Sequence, residues 1–309
     1  MFQVLSPPPA APVLQQAVLQ QAGPRQAGPR QAAPRARGYQ RRGALGGRLT
    51  RQLLLIVVSV VVAAPLVWLV LAVFRRPGAV FARSLPLPPS VGNVAHALAA
   101  LPWGTLLLHT AAIAIGVSLG QLLTGLLAAY GLSCWRFPGR RLLLMIVIGS
   151  WLIPFQVTIL PNYVLVSRLG LLNSVAGVIV PQLSSAFAVL LLRQHLTDFP
   201  AELLEAARVD GLSSWSCLWR VVVPNLAPAL AALEILLLIA AWNEYLWPLA
   251  VYNTPASVLQ VGIRDMLNVD NVDYGALLAA AGLATLPLLV LFLVLQRRVV
   301  NAYVRSGLR

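Results

Sequence analysis

A chain of 309 residues would suit one or two soluble domains, but 59% of this one is hydrophobic, only 10% is charged and the mean hydropathy is +0.78, which excludes an ordinary soluble globule. The net charge of +14 rests on 23 arginines and no lysine. No soluble basic face with interleaved aromatics accompanies it, so nucleic acid is set aside as a partner, and without lysine the chain cannot carry a conventional ATP-binding P-loop.

The first 50 residues are rich in Pro, Gln, Ala and Arg and contain the repeat "QAGPRQAGPRQAAPR", Gln21–Arg35. Proline at every fifth position blocks a helix, and little apolar surface offsets the entropy of ordering. Residues 1–50 are therefore expected to be a disordered tail, with arginines either solvated or against anionic lipid. The apolar run that follows starts too late and runs too long for a cleavable signal peptide.

Six apolar stretches come next, each near or beyond the roughly 20 residues that cross a bilayer as a helix. They are expected at Leu53–Phe74 (kinked at Pro65), Thr105–Gly131, Leu142–Leu160, Val175–Gln194, Ala227–Leu249 and Tyr274–Gln296. Residues Arg75–Pro102 read as a proline-rich external loop. "PNYVLVSRLGLLNS" reads as an outer connection, with Asn173 or Ser174 capping the helix after it. A second outer loop carries Arg264, Asp265, Asp270 and Asp273, and residues 298–309 form a short tail. The expectation is an all-α polytopic membrane protein with six transmembrane helices in a domain spanning 51–297.

Alternate connections split the arginines 18 against five (Arg75, Arg76, Arg83, Arg168, Arg264). By the positive-inside rule, both termini are expected in the cytoplasm. Cys134 and Cys217 show no CxxC spacing, and His96, His109 and His195 no ligand spacing, so no disulfide framework or metal site is indicated.

One cytoplasmic segment, residues 197–224, is unusual between such apolar runs: "TDFPAELLEAARVDGLSSWSCLWRVVVP". Asp198 can cap a helix and Pro200 suits its first turn. Glu202 and Glu205 lie where the helix dipole favours acids. Gly211 stands where a helix ends in a left-handed residue, and "SSWSCLWRVVV" starts a second helix before Pro224. Two short helices at a glycine hinge present small residues for close approach by another protein. The same residues also fit an amphipathic interfacial helix with Trp215 and Trp219 among the headgroups.

The spacing Glu205-Ala206-Ala207, three residues, Gly211, nine residues, Val221-Val222-Val223-Pro224 resembles the EAA loop of bacterial ABC-importer permeases, with valine at both aliphatic positions. "AAYGLSCWRFPGRR", "WLIPFQVTILPNYVLVSRLGLLNS", "VPQLSSAFAVLLLRQHLTDFPAELLEAARVDG" and "AWNEYLWPLAV" are similar to the carbohydrate branch, that of the maltose, oligosaccharide and glycerol-phosphate importers. The resemblance covers about Leu108–Gln296 and implies a type I ABC-importer permease fold in the bacterial inner membrane. It implies a heterodimer with a second related permease, two ATP-binding cassette subunits that bind the ATP and magnesium, and an extracytoplasmic solute-binding protein delivering a sugar. Glu205, Ala206, Ala207, Asp210, Gly211 and Pro224 then belong to the coupling helix that docks on the ATPase, and the chain itself binds no cofactor and is no enzyme. The arginine-rich tail, His109-Thr110 and the ending "NAYVRSGLR" depart from the family pattern.

Charges inside membrane helices are expensive and mark functional candidates. Glu234 stands where the family usually has a small or apolar residue; it either faces the translocation path or is held by a neighbouring helix. Trp242, Asn243 and Glu244 offer an aromatic face with amide and carboxylate acceptors, as a sugar requires; they fit an interfacial aromatic belt equally well. An importer for amino acids or peptides is the nearest alternative function. An ion-driven secondary transporter would leave the EAA spacing unexplained.

Overall fold

The computed structural model describes residues 41–306 except 83–85, 87, 255–256 and 268–270, with side chains between 51 and 294. The repeat, the rest of the expected tail up to residue 40, and Asp270 lie outside the described residues. The chain divides into two units at Val60, residues 1–60 and 61–309. The described part is helical throughout, with no strand among the described residues.

Helix α1 (Arg41–Val73) begins twelve residues ahead of the expected span and carries Pro65 within it. The expected external loop is not featureless: it contains α2 (Gly92–Ala100). Asn93, fully buried on α2, donates from Nδ2 to the carbonyls of Val73 (3.1 Å) and Arg75 (3.0 Å), closing the C-terminal end of α1. α2 then lies along α13 (Tyr274–Ser306) through an alanine interface, Ala97 against Ala276, Ala279 and Ala280. Asp273 caps α13 by accepting from the Ala276 amide at 3.0 Å, and its other oxygen meets His96 Nδ1 at 2.8 Å. Burial pushes the Asp273 carboxyl up, but these hydrogen bonds outweigh it and hold it below the usual carboxylate range.

α3 (Trp103–Cys134) is the helix on which the others pack. Its small-residue face admits α6 (Val175–Ile179), the 3₁₀ turn that extends α6 to Gln182, and α7 (Ala186–Thr197). A Cβ on Gly116 would come within 2.7 Å of Ile179, one on Gly125 within 2.8 Å of the Ala188 Cβ, and one on Gly120 would collide with Leu183. Small residues let helices approach closely where lipid supplies no hydrophobic drive between them. Leu126, Ala129 and Tyr130 of α3 join Leu192 and Leu196 of α7 and Leu226, Leu230, Leu233 and Leu237 of α10 (Val223–Trp242) in one core.

Two expected straight spans are broken. The Leu142–Leu160 helix is instead α4 (Arg140–Trp151) and α5 (Phe155–Arg168), bent by 99° at Leu152–Pro154. Pro154 lacks an amide proton and disfavours helical backbone before it, and α5 takes in half of the expected outer connection. The Val175–Gln194 helix bends by 45° between Gln182 and Ala186. Ser174, not Asn173, caps α6, and Ser185 caps α7. Asn173 instead adopts φ 57° and accepts the Asn253 amide at 2.9 Å.

Helix five also differs from expectation. α9 (Ser214–Cys217) continues through a π turn, Leu218–Val222, straight into α10, so one helical rod runs Ser214–Trp242. The π turn accommodates Pro224, whose missing donor would interrupt a regular α-helix. The rod stops at Trp242, and α11 (Leu246–Val251) follows after a break. Among the described residues four helices are long and apolar enough to cross a membrane, or up to six if each bent pair is one span.

If close approach at Gly125 holds α3 to α7, Gly125→Ala overpacks the contact and should cost about 1–3 kcal/mol. Gly131→Ala, where a Cβ meets nothing within 4 Å, should leave stability equal or higher. Melting midpoints of the two variants in detergent check this; coincident curves would remove the close approach as the reason α3 and α7 stay together.

Candidate functional site

Two regions carry the polar groups singled out by the sequence. The first is the segment after α7. α8 (Ala201–Val209) starts at Pro200 with no side-chain cap; Asp198, expected to cap it, instead ends α7. At its other end the Gly211 amide bonds the Arg208 carbonyl (3.0 Å) and the Leu212 amide bonds the Ala207 carbonyl (3.0 Å), with Gly211 at φ +75°. That pair of bonds is a Schellman motif, which requires a left-handed residue at the glycine position. The chain then reverses, and Ser213 caps α9 by accepting the Ser216 amide at 3.2 Å.

Of the residues expected in this segment, Glu205, Ala206, Asp210 and Gly211 are exposed and Ala207 is buried, while Pro224 lies exposed nearly three turns up the rod. In the same segment Val209 (87%), Trp215 (61%), Leu203 (42%) and Trp219 (38%) are exposed, the two indoles edge to face at 5.6 Å. The segment is fastened from behind. Cys217, Leu218 and Val222 are buried, and the Tyr130 hydroxyl of α3 donates to the Ser214 carbonyl at 3.1 Å. The Cys217 thiol touches the same phenol, and Cys134 lies close by. Sequence spacing gave no hint that the two cysteines meet around Tyr130.

The second region lies between the spans. Glu234 of α10 accepts a 2.7 Å hydrogen bond from the Ser118 hydroxyl of α3, and its other oxygen is buried without a partner among the described residues. It thus sits in the α3–α10 interface; Ser118, fully buried, escaped notice in the sequence because only its position opposite Glu234 distinguishes it. Trp242, Asn243 and Glu244 fall at the break after α10. Glu244 Oε1 accepts the Trp247 amide at 3.2 Å and so caps α11, and Asn243 Nδ2 bonds the Ile239 carbonyl at 2.8 Å. The Trp242 ring is 8% exposed and packs on Leu106, Ala114, Leu259 and Ala284. Trp242, Asn243 and Tyr245 line a cavity of about 420 Å³ completed by α12 (Leu259–Asp265) and α13. Gln260 and Arg264 of α12 line it too; only the return of the chain after the break brings them there.

Beside this region His109 and Thr110 tie α3 to the segment before α12. His109 Nδ1 lies 3.1 Å from both the Ser257 carbonyl and the Tyr252 hydroxyl, and Thr110 Oγ1 accepts the Leu259 amide at 2.9 Å. No group of three or more potential metal ligands occurs among the described residues.

Spans that bury polar side chains between them, with a paired-helix segment exposed at one end, define an integral membrane protein of the transport class. The chain belongs to the family of binding-protein-dependent transport system inner membrane components, which it matches over residues 121–305. It is 34% identical over 208 residues to the sn-glycerol-3-phosphate transport system permease protein of Yersinia pestis bv. Antiqua, covering 66% of this chain and 74% of that one. To the diacetylchitobiose uptake system permease protein of Streptomyces coelicolor it is 30% identical over 264 residues, 83% of this chain and 87% of the relative. A solved bacterial ABC transporter involved in the import of the acidic polysaccharide alginate contains a chain of the same fold, with TM-score 0.72 and 22% identity, over 84% of this chain and 99% of the other.

Removing the Ser118 hydroxyl would leave a buried carboxyl without its partner, a loss of about 1–3 kcal/mol. Ser118→Ala is therefore expected to melt well below the parent, and Ser118→Ala with Glu234→Leu, which removes both partners, to recover most of the loss. Thermal unfolding of the three proteins decides it, and a double variant no better than the single would show that the bond is not what Glu234 needs.

Proposed function

We propose that this chain is one permease of an ATP-driven importer for a carbohydrate, forming half of the translocation pore. The observation that carries the substrate class is the set of family relatives: permeases named for sn-glycerol 3-phosphate, diacetylchitobiose and arabinooligosaccharides. The same set disfavours an amino-acid or peptide importer. The other half of the pore is a second, related permease, and a solute-binding protein delivers the substrate from outside. The chain has no lysine for a nucleotide-binding loop, so hydrolysis of ATP falls to a pair of cassette subunits.

Coupling to those subunits runs through α8, Gly211 and α9. The Schellman turn sets the angle between the two short helices, and Leu203, Val209 and Trp215 supply the apolar surface that a groove on the ATPase would bury. Both termini and this segment lie in the cytoplasm, the side richest in arginine.

A Cβ at Gly211 meets nothing within 4 Å, so Gly211→Val strains the backbone alone, by roughly 1–2 kcal/mol. The spans do not depend on that turn. Membrane abundance is therefore expected to hold while uptake and co-purification of the ATPase fall sharply, with Glu205→Ala a milder case. Retention of both by Gly211→Val would leave α8 and α9 as interfacial helices. For orientation, Cys217 is buried and a poor reporter, whereas Val209 is exposed. In membranes from cells that express the chain without its ATPase, Val209→Cys should react with an impermeant maleimide in inside-out vesicles and resist it in intact cells; labelling from outside would invert the topology.

A further inference from the structure

The turn between α3 and α4 gathers positive charge with no carboxylate paired to it among the described residues. Phe137, Pro138, Gly139 and Arg140 form a type II turn: Gly139 has φ 84° and ψ −4°, and the Arg140 amide bonds the Phe137 carbonyl at 3.4 Å. The reversal holds Arg136 on one side and Arg140 and Arg141 on the other, close together. Arg140 Nη1 donates to the Trp135 carbonyl at 3.4 Å, which folds that guanidinium back over the turn. No Asp or Glu occurs in the chain before Asp198. Arg140 and Arg141 also open α4, the end at which the helix dipole disfavours positive charge. An anion from outside the chain offsets both effects.

The turn joins α3 to the bent α4–α5 pair, each long and apolar enough to cross a membrane, so it stands where the apolar slab meets water. Trp135 and Phe137 are exposed beside the arginines. Leu142, Met145 and Ile146, three and four residues apart, are exposed along one face of α4. Guanidinium, aromatic ring and aliphatic side chain thus follow in the order of phosphate, glycerol ester and acyl chain in a phospholipid. A soluble anion would use the arginines and leave the apolar surface bare. The guanidinium fork matches phosphate oxygens in pairs, and a headgroup without its own cation leaves its net charge for them.

We propose that the α3–α4 turn is a binding site for an anionic phospholipid. Arg136, Arg140 and Arg141 hold the headgroup phosphate, Trp135 and Phe137 lie at the ester level, and the exposed face of α4 takes an acyl chain. The assignment is independent of the transported solute.

Native mass spectrometry tests it on the full-length chain, purified in detergent with the subunits it retains and titrated with phosphatidylglycerol or phosphatidylcholine. The wild type should bind phosphatidylglycerol roughly tenfold more tightly than phosphatidylcholine. Arg136→Gln, Arg140→Gln and Arg141→Gln together should bring the two lipids level. Arg141→Gln alone should lose part of the preference, and Phe137→Ser should weaken both lipids, with melting midpoints showing that each variant is folded. Arg25→Gln, Arg30→Gln and Arg35→Gln together remove the same charge elsewhere and should leave the preference unchanged. Excess inorganic phosphate should not displace the lipid. A wild type without preference, or an equal loss in the Arg25, Arg30 and Arg35 variant, would overturn the site. Displacement by inorganic phosphate would make it a site for a soluble anion instead. A triple variant at the turn that keeps its lipid preference but loses its ATPase would assign the arginines to a protein partner, and overturn the proposal too.

Discussion

Backbone amides and carbonyls inside an apolar slab must find partners within the protein, because hydrocarbon offers none. A continuous helix meets that demand by itself. Every described break has to meet it some other way, and at two of them polar side chains do so. Where α6 and α7 part, Gln121 Nε2 bonds the Gln182 carbonyl at 2.9 Å, Thr124 bonds the Leu183 carbonyl at 2.6 Å and Ser185 caps α7. Where α10 ends, Glu244 caps α11 and Asn243 turns back on Ile239. α3 can reach these places because glycine lets its neighbours come close.

The breaks in turn place the chemistry. If α10 ran on to Leu249, Trp242 would be one aromatic among several near a helix end. Its termination at Trp242 lets the chain fold back, burying Trp247 completely and bringing α12 with Gln260 and Arg264 over the Trp242 ring. The other end of the same rod is α9, and the helix runs the 29 residues from Ser214 to Trp242 without a break. At 1.5 Å per residue that is roughly 43 Å of helix. The Glu234–Ser118 bond fastens that rod to α3.

The segment around Gly211 shows how much a local pattern can decide. A left-handed glycine after a run of helix formers ends the helix whatever surrounds it, because the hydrogen bonds involved are all within six residues. The same local logic holds at Ser213 and Ser174, whose caps need only the next turn. It failed at Asp198, where α7 runs on to Thr197 and takes that residue as its own terminus.

The amino-acid sequence by itself determined that this is an all-α, multi-span membrane protein, where its apolar segments lie, and how the α8–Gly211–α9 turn is made. Those properties follow from composition, run length and contacts between residues close in the chain. Tertiary structure alone decided that two spans bend, that α9 is continuous with α10, and that α2 closes the end of α1. It alone decided which residues come together: Ser118 with Glu234, Tyr130 with Ser214 and Cys217, and Gln260 and Arg264 with Trp242 around one cavity. The physical reason is periodicity. In spans that are apolar on nearly every face no hydrophobic stripe marks which side turns inward, so the pairing of polar residues far apart in the chain is settled only when the helices pack.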